Sequence, residues 1–343
     1  MTPAEQSLAL VVTTIAHPTR QMLAHSAIAQ SQGSSIVVAG DEKGPNTFEL
    51  PNTTFLSLED QREFSALGRS LDTGTYTRKN IAYLRAIADG ADVIVETDDD
   101  NAPMDGFERK RSRSLTARTV DRPGWFNVYS VFSDSGVWPR GLPLECVQED
   151  AGVSYDELPE SSIEAPIQQG LADGDPDVDA VYRMTRPLPI TFEPSRVVAL
   201  TPGTWSPFNS QNTTWFSEAF PLLYLPSHCS FRMTDIWRSF VAQRVAWANG
   251  WSIAFTSPDV FQDRNEHDLL ADFRDEVPGY LDNSRIATAL EALDLGPGDL
   301  EGSLVRCYET LVGLGSVDGG ELDLLQLWLE EVGTHMRTEV ASR

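Results

Sequence analysis

Glu96-Thr97-Asp98-Asp99-Asp100 is the string in this sequence best suited to chemistry. It follows directly on residues 92–95, which read as a short apolar strand, so three adjacent carboxylates stand at a strand end. Adjacent carboxylates repel one another, and withdrawing them from water is costly unless a cation neutralises them. A hard divalent ion with oxygen ligands, Mn²⁺ or Mg²⁺, meets that need and completes its shell with substrate phosphates. The competing reading is a solvated acidic loop in an acid-rich chain. Position at a strand end favours the metal. Asp173, Asp175, Asp177 and Asp179 alternate like the opening of a calcium loop. Pro176 interrupts them, however, and the required Gly and Glu further along are missing, so calcium is not expected there.

Two groups of cations could answer an anionic ligand. Arg109, Lys110, Arg111, Arg113, Arg118 and Arg122 lie close together and read either as a phosphate-facing loop that closes over a nucleotide or as a solvated loop against the protein's own acidic surface. Arg78 and Lys79 open a predicted helix. Helix N-termini favour anions over cations, so an anionic ligand would account for them; otherwise they are a solvent-exposed pair.

The elements that must position these groups alternate strand and helix in the N-terminal third. Residues 8–15, 35–39, 55–58 and 92–95 read as strands, and residues 18–30, 59–68 and 76–88 as helices. Such alternation implies a mostly parallel sheet covered on both faces, with ligands beyond the carboxyl ends of the strands. No G-x-G-x-x-G follows the first strand. Residues 149–179 read as an acidic loop, 235–249 as a helix and 251–255 as a strand. Beyond the neighbourhood of Pro278 the pattern is helical, with Leu304, Tyr308 and Leu311 on one amphipathic face and Leu325, Trp328, Leu329 and Val332 on another. The expected organisation is a catalytic domain over 1–278 and a helical subdomain over 279–343.

The chain has 343 residues with 26 Lys and Arg against 51 Asp and Glu, a net charge of −25. That excess repels polyanions, so no nucleic-acid partner is expected. Cys146, Cys229 and Cys307 are far apart and form no C-x-x-C pair, and the five histidines form no H-E-x-x-H pair. No signal peptide or transmembrane segment is read, which gives the expectation of a soluble, cytoplasmic protein.

The strings Tyr76-Thr77-Arg78-Lys79-Asn80-Ile81-Ala82-Tyr83-Leu84, Asp98-Asp99, Trp138-Pro139-Arg140-Gly141-Leu142-Pro143-Leu144-Glu145, Gln168-Gln169-Gly170, Pro176-Asp177-Val178-Asp179 and Thr234-Asp235-Ile236-Trp237-Arg238 resemble the STELLO glycosyltransferase-like family over about residues 11–280. The same landmarks are more distantly similar to the reversibly glycosylated polypeptides, the plant UDP-arabinopyranose mutases. Both resemblances imply a GT-A-like, Rossmann-like α/β nucleotide-sugar fold and a nucleotide-sugar donor, with UDP as the expected nucleotide.

Carried over residue by residue, the resemblance gives Asp98 to Asp100 the D-x-D role. Asp100 would bind Mn²⁺ or Mg²⁺ across the diphosphate, and Asp98 would contact the ribose or the ion's shell. Thr13, Thr14, Gly40 and Asp41 would hold the base, and Lys43, Arg78, Lys79 and Arg140 would serve the donor. Asp235 is either a general base for a glycan or small-molecule acceptor or a helix-end device. A late metal ligand would be Asp263 or His267. The mutases place an Arg several residues after their aromatic-Pro pair, whereas Arg140 follows Pro139 directly. The expectation is therefore a metal-dependent glycosyltransferase. The alternatives are a nucleotide-sugar mutase or a catalytically silent scaffold for a polysaccharide synthase, and a homo-oligomer or synthase partner is compatible with each. The plant STELLO proteins are membrane-anchored, and this chain is expected to act as a free-standing catalytic domain.

Overall fold

The first half of the sheet forms where apolar, β-branched residues run together. β1 (Leu8–Thr14), β2 (Ser35–Gly40), β3 (Thr53–Leu56) and β4 (Val93–Thr97) lie parallel in the order β3-β2-β1-β4. Both faces are covered, which is why these strands read as unbroken apolar runs. On one face α1 (Arg20–Gln32) packs Met22 and Ala29 on Leu10, Val12, Ile36 and Val38. On the other, α4 (Lys79–Ala88) packs Ile81 and Leu84 with Val11, Val37 and Ile94. Thr19 caps α1, its hydroxyl accepting from the Met22 amide at 3.1 Å. The computed structural model describes residues 6–148, 152–264 and 268–342.

The sheet continues through strands most of which carry no such apolar signature, the run Val197–Leu200 and the start of the strand at Ile253 excepted. β5 (Asn101–Pro103), β6 (Ser114–Val120), β8 (Glu160–Glu164), β9 (Ile167–Gly174), β10 (Val197–Leu200), β12 (Asn212–Phe216) and β13 (Ile253–Gln262) complete an 11-stranded sheet. From β4 its order runs β12-β9-β13-β10-β6-β8, with β5 pairing β13. β12 lies antiparallel between β4 and β9, whereas β9 and β13 run parallel, so the second half is mixed. The short strands β7 (Gly124–Trp125) and β11 (Thr204–Trp205) pair separately. The protein is thus a mixed α/β fold around one large sheet.

Several elements differ from the sequence reading. The acidic stretch read as a loop contains β8 and β9. The cation-rich stretch contains β6, where Ala117 and Val120 turn inward. Residues 59–68 form two helices, α2 (Leu58–Phe64) and α3 (Ala66–Ser70), because Ser65 takes an extended conformation and caps the second, accepting from the Gly68 amide at 3.0 Å.

In the C-terminal half, α5 (Ala180–Thr185) and α6 (Thr234–Ala248) lead to α7 (Leu269–Glu291), α8 (Leu300–Gly313) and α9 (Glu321–Ser342). Pro278 lies inside α7, so the division expected at 278 falls within a continuous helix. Ile286, Leu304 and Trp328 share one buried cluster with Ile81, Tyr83 and Trp215, so the helices extend the core of the sheet domain.

Candidate active site

The carboxyl end of β4 carries the acidic string to the rim of the sheet. There, as the strand-helix alternation requires, a cavity of about 370 Å³ opens. One wall is built from Asp98, Asp99 and Asp100. Asp99 is held by β1 and α1: its carboxylate accepts from the Thr14 hydroxyl, and its carbonyl accepts from Thr19 Oγ1 at 2.6 Å. Gln262, at the end of β13, donates to both Asp100 oxygens at 3.3 Å and is itself held by Gln211. Lys79, with its side chain 1% exposed, places Nζ 3.4 Å from Asp98 Oδ1 and 3.2 Å from the Ser210 carbonyl.

Asp98 keeps 43% of its side chain open, and that opening faces the cavity. Burial still pushes its carboxyl up. Lys79 pulls it back, and Asp100, Asp99 and Asp235 push it further, to about 7. Asp100 is raised as well, by burial first, against the hydrogen bond from Gln262. The wall therefore holds more negative charge than Lys79 offsets. Among the described residues no three or more His, Cys, Asp or Glu side chains converge to hold a metal by themselves. An oxygen-only donor set with one or two carboxylates, completed by water and phosphate, fits Mg²⁺ or Mn²⁺.

The opposite wall is organised by Arg140. Its guanidinium takes Asp177 in a fork, Nε to Oδ1 at 2.8 Å and Nη2 to Oδ2 at 2.7 Å. Nη2 also reaches both Asp235 oxygens at 3.1 Å, and Nη1 donates to the Arg232 carbonyl. Burial pushes the Asp177 carboxyl up, but the Arg140 charge and hydrogen bonds, with Arg232 and Arg264 beyond, hold it at about 2. Gly141 makes this wall possible. Its φ is +92°, and a Cβ there would collide with Ile236 of α6, so the strand of chain bearing Arg140 can lie directly on the helix that bears Asp235. Asp235 accepts from the Ser210 amide at 3.1 Å, and its own amide donates to Tyr76 Oη at 3.0 Å. Its carboxylate makes no hydrogen bond to the free amides of α6, although it stands as the acidic residue in that helix's first turn.

The structure brings Thr13, Lys79, Asp98, Asp100, Arg140 and Asp235 to this one cavity. Thr14 stands just behind it on Asp99. Gly40 is buried at the end of β2, and Asp41 accepts from the Gly74 and Thr75 amides at 3.0 Å each, so both shape the neighbouring loop without lining the cavity. Lys43 and Asp263 are exposed and do not line it. Arg78 points away: its guanidinium is buried on the carbonyls of Gly68, Leu71 and Asp72 and on Gln61 Oε1. His267 lies outside the described residues.

None of the six cations at 109–122 lines the cavity either. Arg109 and Arg111 face Asp259, Arg113 pairs with Glu164 and Glu218, and Arg118 donates to the Leu158 carbonyl at 2.8 Å. Being on or beside β6, these four meet the protein's own acidic and carbonyl groups. The cavity takes its positive charge instead from Lys79, Arg140, Arg232 and Arg264. Ser210, Gln211, Gln262 and the two last arginines carry no local motif, and only the long-range folding of β12, β13 and the turn before α6 beside β4 brings them in.

Residues 232–340, which include α6 and its Asp235, match the family described as STELLO glycosyltransferases. The chain is 33% identical over 291 residues to an Arabidopsis thaliana protein named Probable glycosyltransferase STELLO2, covering 78% of this chain and 37% of the plant protein. It is 32% identical over 273 residues to Probable glycosyltransferase STELLO1 of the same plant, covering 73% of this chain and 34% of that protein. Residues 232–340 thus carry the STELLO glycosyltransferase family's domain, the likeness to the two plant proteins runs over most of the chain, and the chain spans a little over a third of their length. A solved structure titled Crystal Structure of a Mycobacterial Protein aligns over 92% of this chain and 78% of its own, with a TM-score of 0.37 and 10% identity, too distant to carry an argument. Among the described residues no helix is long and apolar enough to cross a membrane.

Proposed function

We propose that this chain is a divalent-cation-dependent glycosyltransferase with a GT-A-like fold, which takes a UDP-sugar and transfers the sugar to a hydroxyl of a glycan or small-molecule acceptor. One observation carries the reading: the carboxylates of Asp98 and Asp100, with Lys79, face Asp235 across a single cavity at the carboxyl end of the sheet. Asp98 and Asp100 are the oxygen donors for Mn²⁺ or Mg²⁺. When bound, the ion supplies positive charge to the departing diphosphate.

The remaining work belongs to the chain. Thr14 and Gln262 orient the acidic wall, and Thr13 sits where the nucleoside meets the end of β1. Lys79, being buried and fixed, adds a preorganised charge beside the diphosphate. Arg140 and Ser210 hold Asp235 in one orientation. In transfer the bond from the sugar's anomeric carbon to the diphosphate oxygen breaks and a bond to the acceptor oxygen forms. The acceptor's proton passes to the Asp235 carboxylate.

A thermal-shift screen of UDP, GDP and ADP, each with and without Mn²⁺, tests the donor side. A shift selective for one nucleotide and dependent on Mn²⁺ is expected; no shift with any of them would contradict the reading. Asp235→Asn keeps the hydrogen-bond acceptor for Arg140, so it should spare the shift and lower transfer by about 10²-fold or more.

A further inference from the structure

Arg264 stands apart from the other cations of the cavity. Lys79 meets Asp98, Arg140 meets Asp177 and Asp235, and Arg232 turns its guanidinium onto Glu276, with Nη2 2.9 Å from Oε1. Arg264 lines the same cavity, yet among the described residues its guanidinium makes no hydrogen bond or ion pair, and its Nε is buried without a partner. Burial disfavours its charge first, Arg183 and Arg232 oppose it further, and Asp177 and Asp175, already engaged by Arg140 and Arg183, only partly compensate. A desolvated charge without a partner costs stability, and such a cost at a cavity wall marks a ligand group that is absent.

We propose that Arg264 is the anchor of an oxyanion subsite in this cavity, at the end it shares with Arg232, which binds a phosphate-type group by its guanidinium fork without requiring the divalent cation. The guanidinium presents paired N–H donors that match two oxygens of such a group. The subsite sits beside Asp100 but is built from a different charge, so it can serve either the donor's diphosphate or an anionic group on the acceptor. It rests on the cavity that the functional reading uses, but not on the identity of the donor.

Inorganic pyrophosphate in excess chelator is the probe, added to the full chain against sodium chloride of matched ionic strength. Wild-type protein should show a saturable thermal shift, Arg264→Gln should weaken the apparent affinity at least tenfold, and Arg264→Lys should fall between. Without ligand, Arg264→Gln should melt at or above the wild-type temperature, because an uncompensated charge has been removed. Equal pyrophosphate dependence in wild type and Arg264→Gln would overturn the proposal, as would a large drop in the melting temperature of the ligand-free variant. Repeating the titration on protein saturated with UDP and Mn²⁺ separates the two sources. Loss of the pyrophosphate shift assigns the subsite to the donor, and its persistence assigns it to the acceptor. The chelator arm needs neither cation nor nucleotide, so it can succeed where the donor screen fails.

Discussion

Glu96 and Arg238 meet in a two-pronged ion pair, Nη1 to Oε2 at 2.9 Å and Nη2 to Oε1 at 2.8 Å, with both side chains at most 1% exposed. Glu96 precedes Asp98 by two residues on β4, and Arg238 follows Asp235 by one turn of α6. The pair therefore fixes the acidic wall of the cavity against the wall that carries Asp235. Tyr83 and Trp215 complete the carboxylate's hydrogen bonds. Arg238→Met would leave Glu96 buried without its counter-charge, and the loss expected in urea denaturation is about 3–5 kcal/mol. A loss below about 1 kcal/mol would mean that the pair does not brace the two walls.

Arg78 separates structure from site. Its guanidinium gathers carbonyls at the end of α3 and holds the loop that leads into α4. Arg78→Met strands those acceptors and should cost about 3 kcal/mol in stability. At a temperature where the variant remains folded, its nucleotide affinity should equal that of wild type. Lys79→Met, one residue on, should instead weaken nucleotide binding, and calorimetry on the two variants distinguishes the roles.

His25 gives the fold a pH dependence of known sign. It donates through Nε2 to the Asn101 carbonyl at 2.9 Å, packs edge-on against Phe107, and its Nδ1 is buried without a partner among the described residues. Burial lowers its pKa from 6.5 to about 4. Between those values the unfolded chain binds a proton that the folded chain does not, so folding weakens as pH falls from 6.5 toward 4. The slope attributable to His25 approaches about 1.4 kcal/mol per pH unit. The stability difference between wild type and His25→Gln, measured from pH 7 to pH 4, should shift in that direction; a flat difference would contradict the assignment.

The sequence revealed the parts whose physics is local. β1, β2 and β4 are apolar runs buried on two faces, and the acidic string announces itself by three neighbouring carboxylates. β9 and β12 escaped because their inward residues include Gln168, Gln169, Asn212 and Thr213, which satisfy their polar groups inside the sheet and erase the apolar signal. The cations show the same limit. Arg78 and the residues at 109–122 draw the eye because they cluster in sequence, yet their partners are carbonyls and carboxylates that folding brings from elsewhere. Arg232 and Arg264 are isolated in sequence and meet only where β13 ends beside the start of α6. Gly279 shows how such approaches are set: a Cβ there would collide with Met233 Sδ, so α7 can press against the segment bearing Arg232 only because the side chain is missing.

Asp100 is the cation ligand on which the proposed donor binding depends. The direct measurement is calorimetric titration of UDP into wild type and Asp100→Asn, each with Mn²⁺ and with chelator, with circular dichroism to verify the fold. Binding should depend on Mn²⁺ in wild type and be lost in a folded Asp100→Asn variant. Mn²⁺-dependent binding of equal strength in both proteins would rule out Asp100 as the cation ligand.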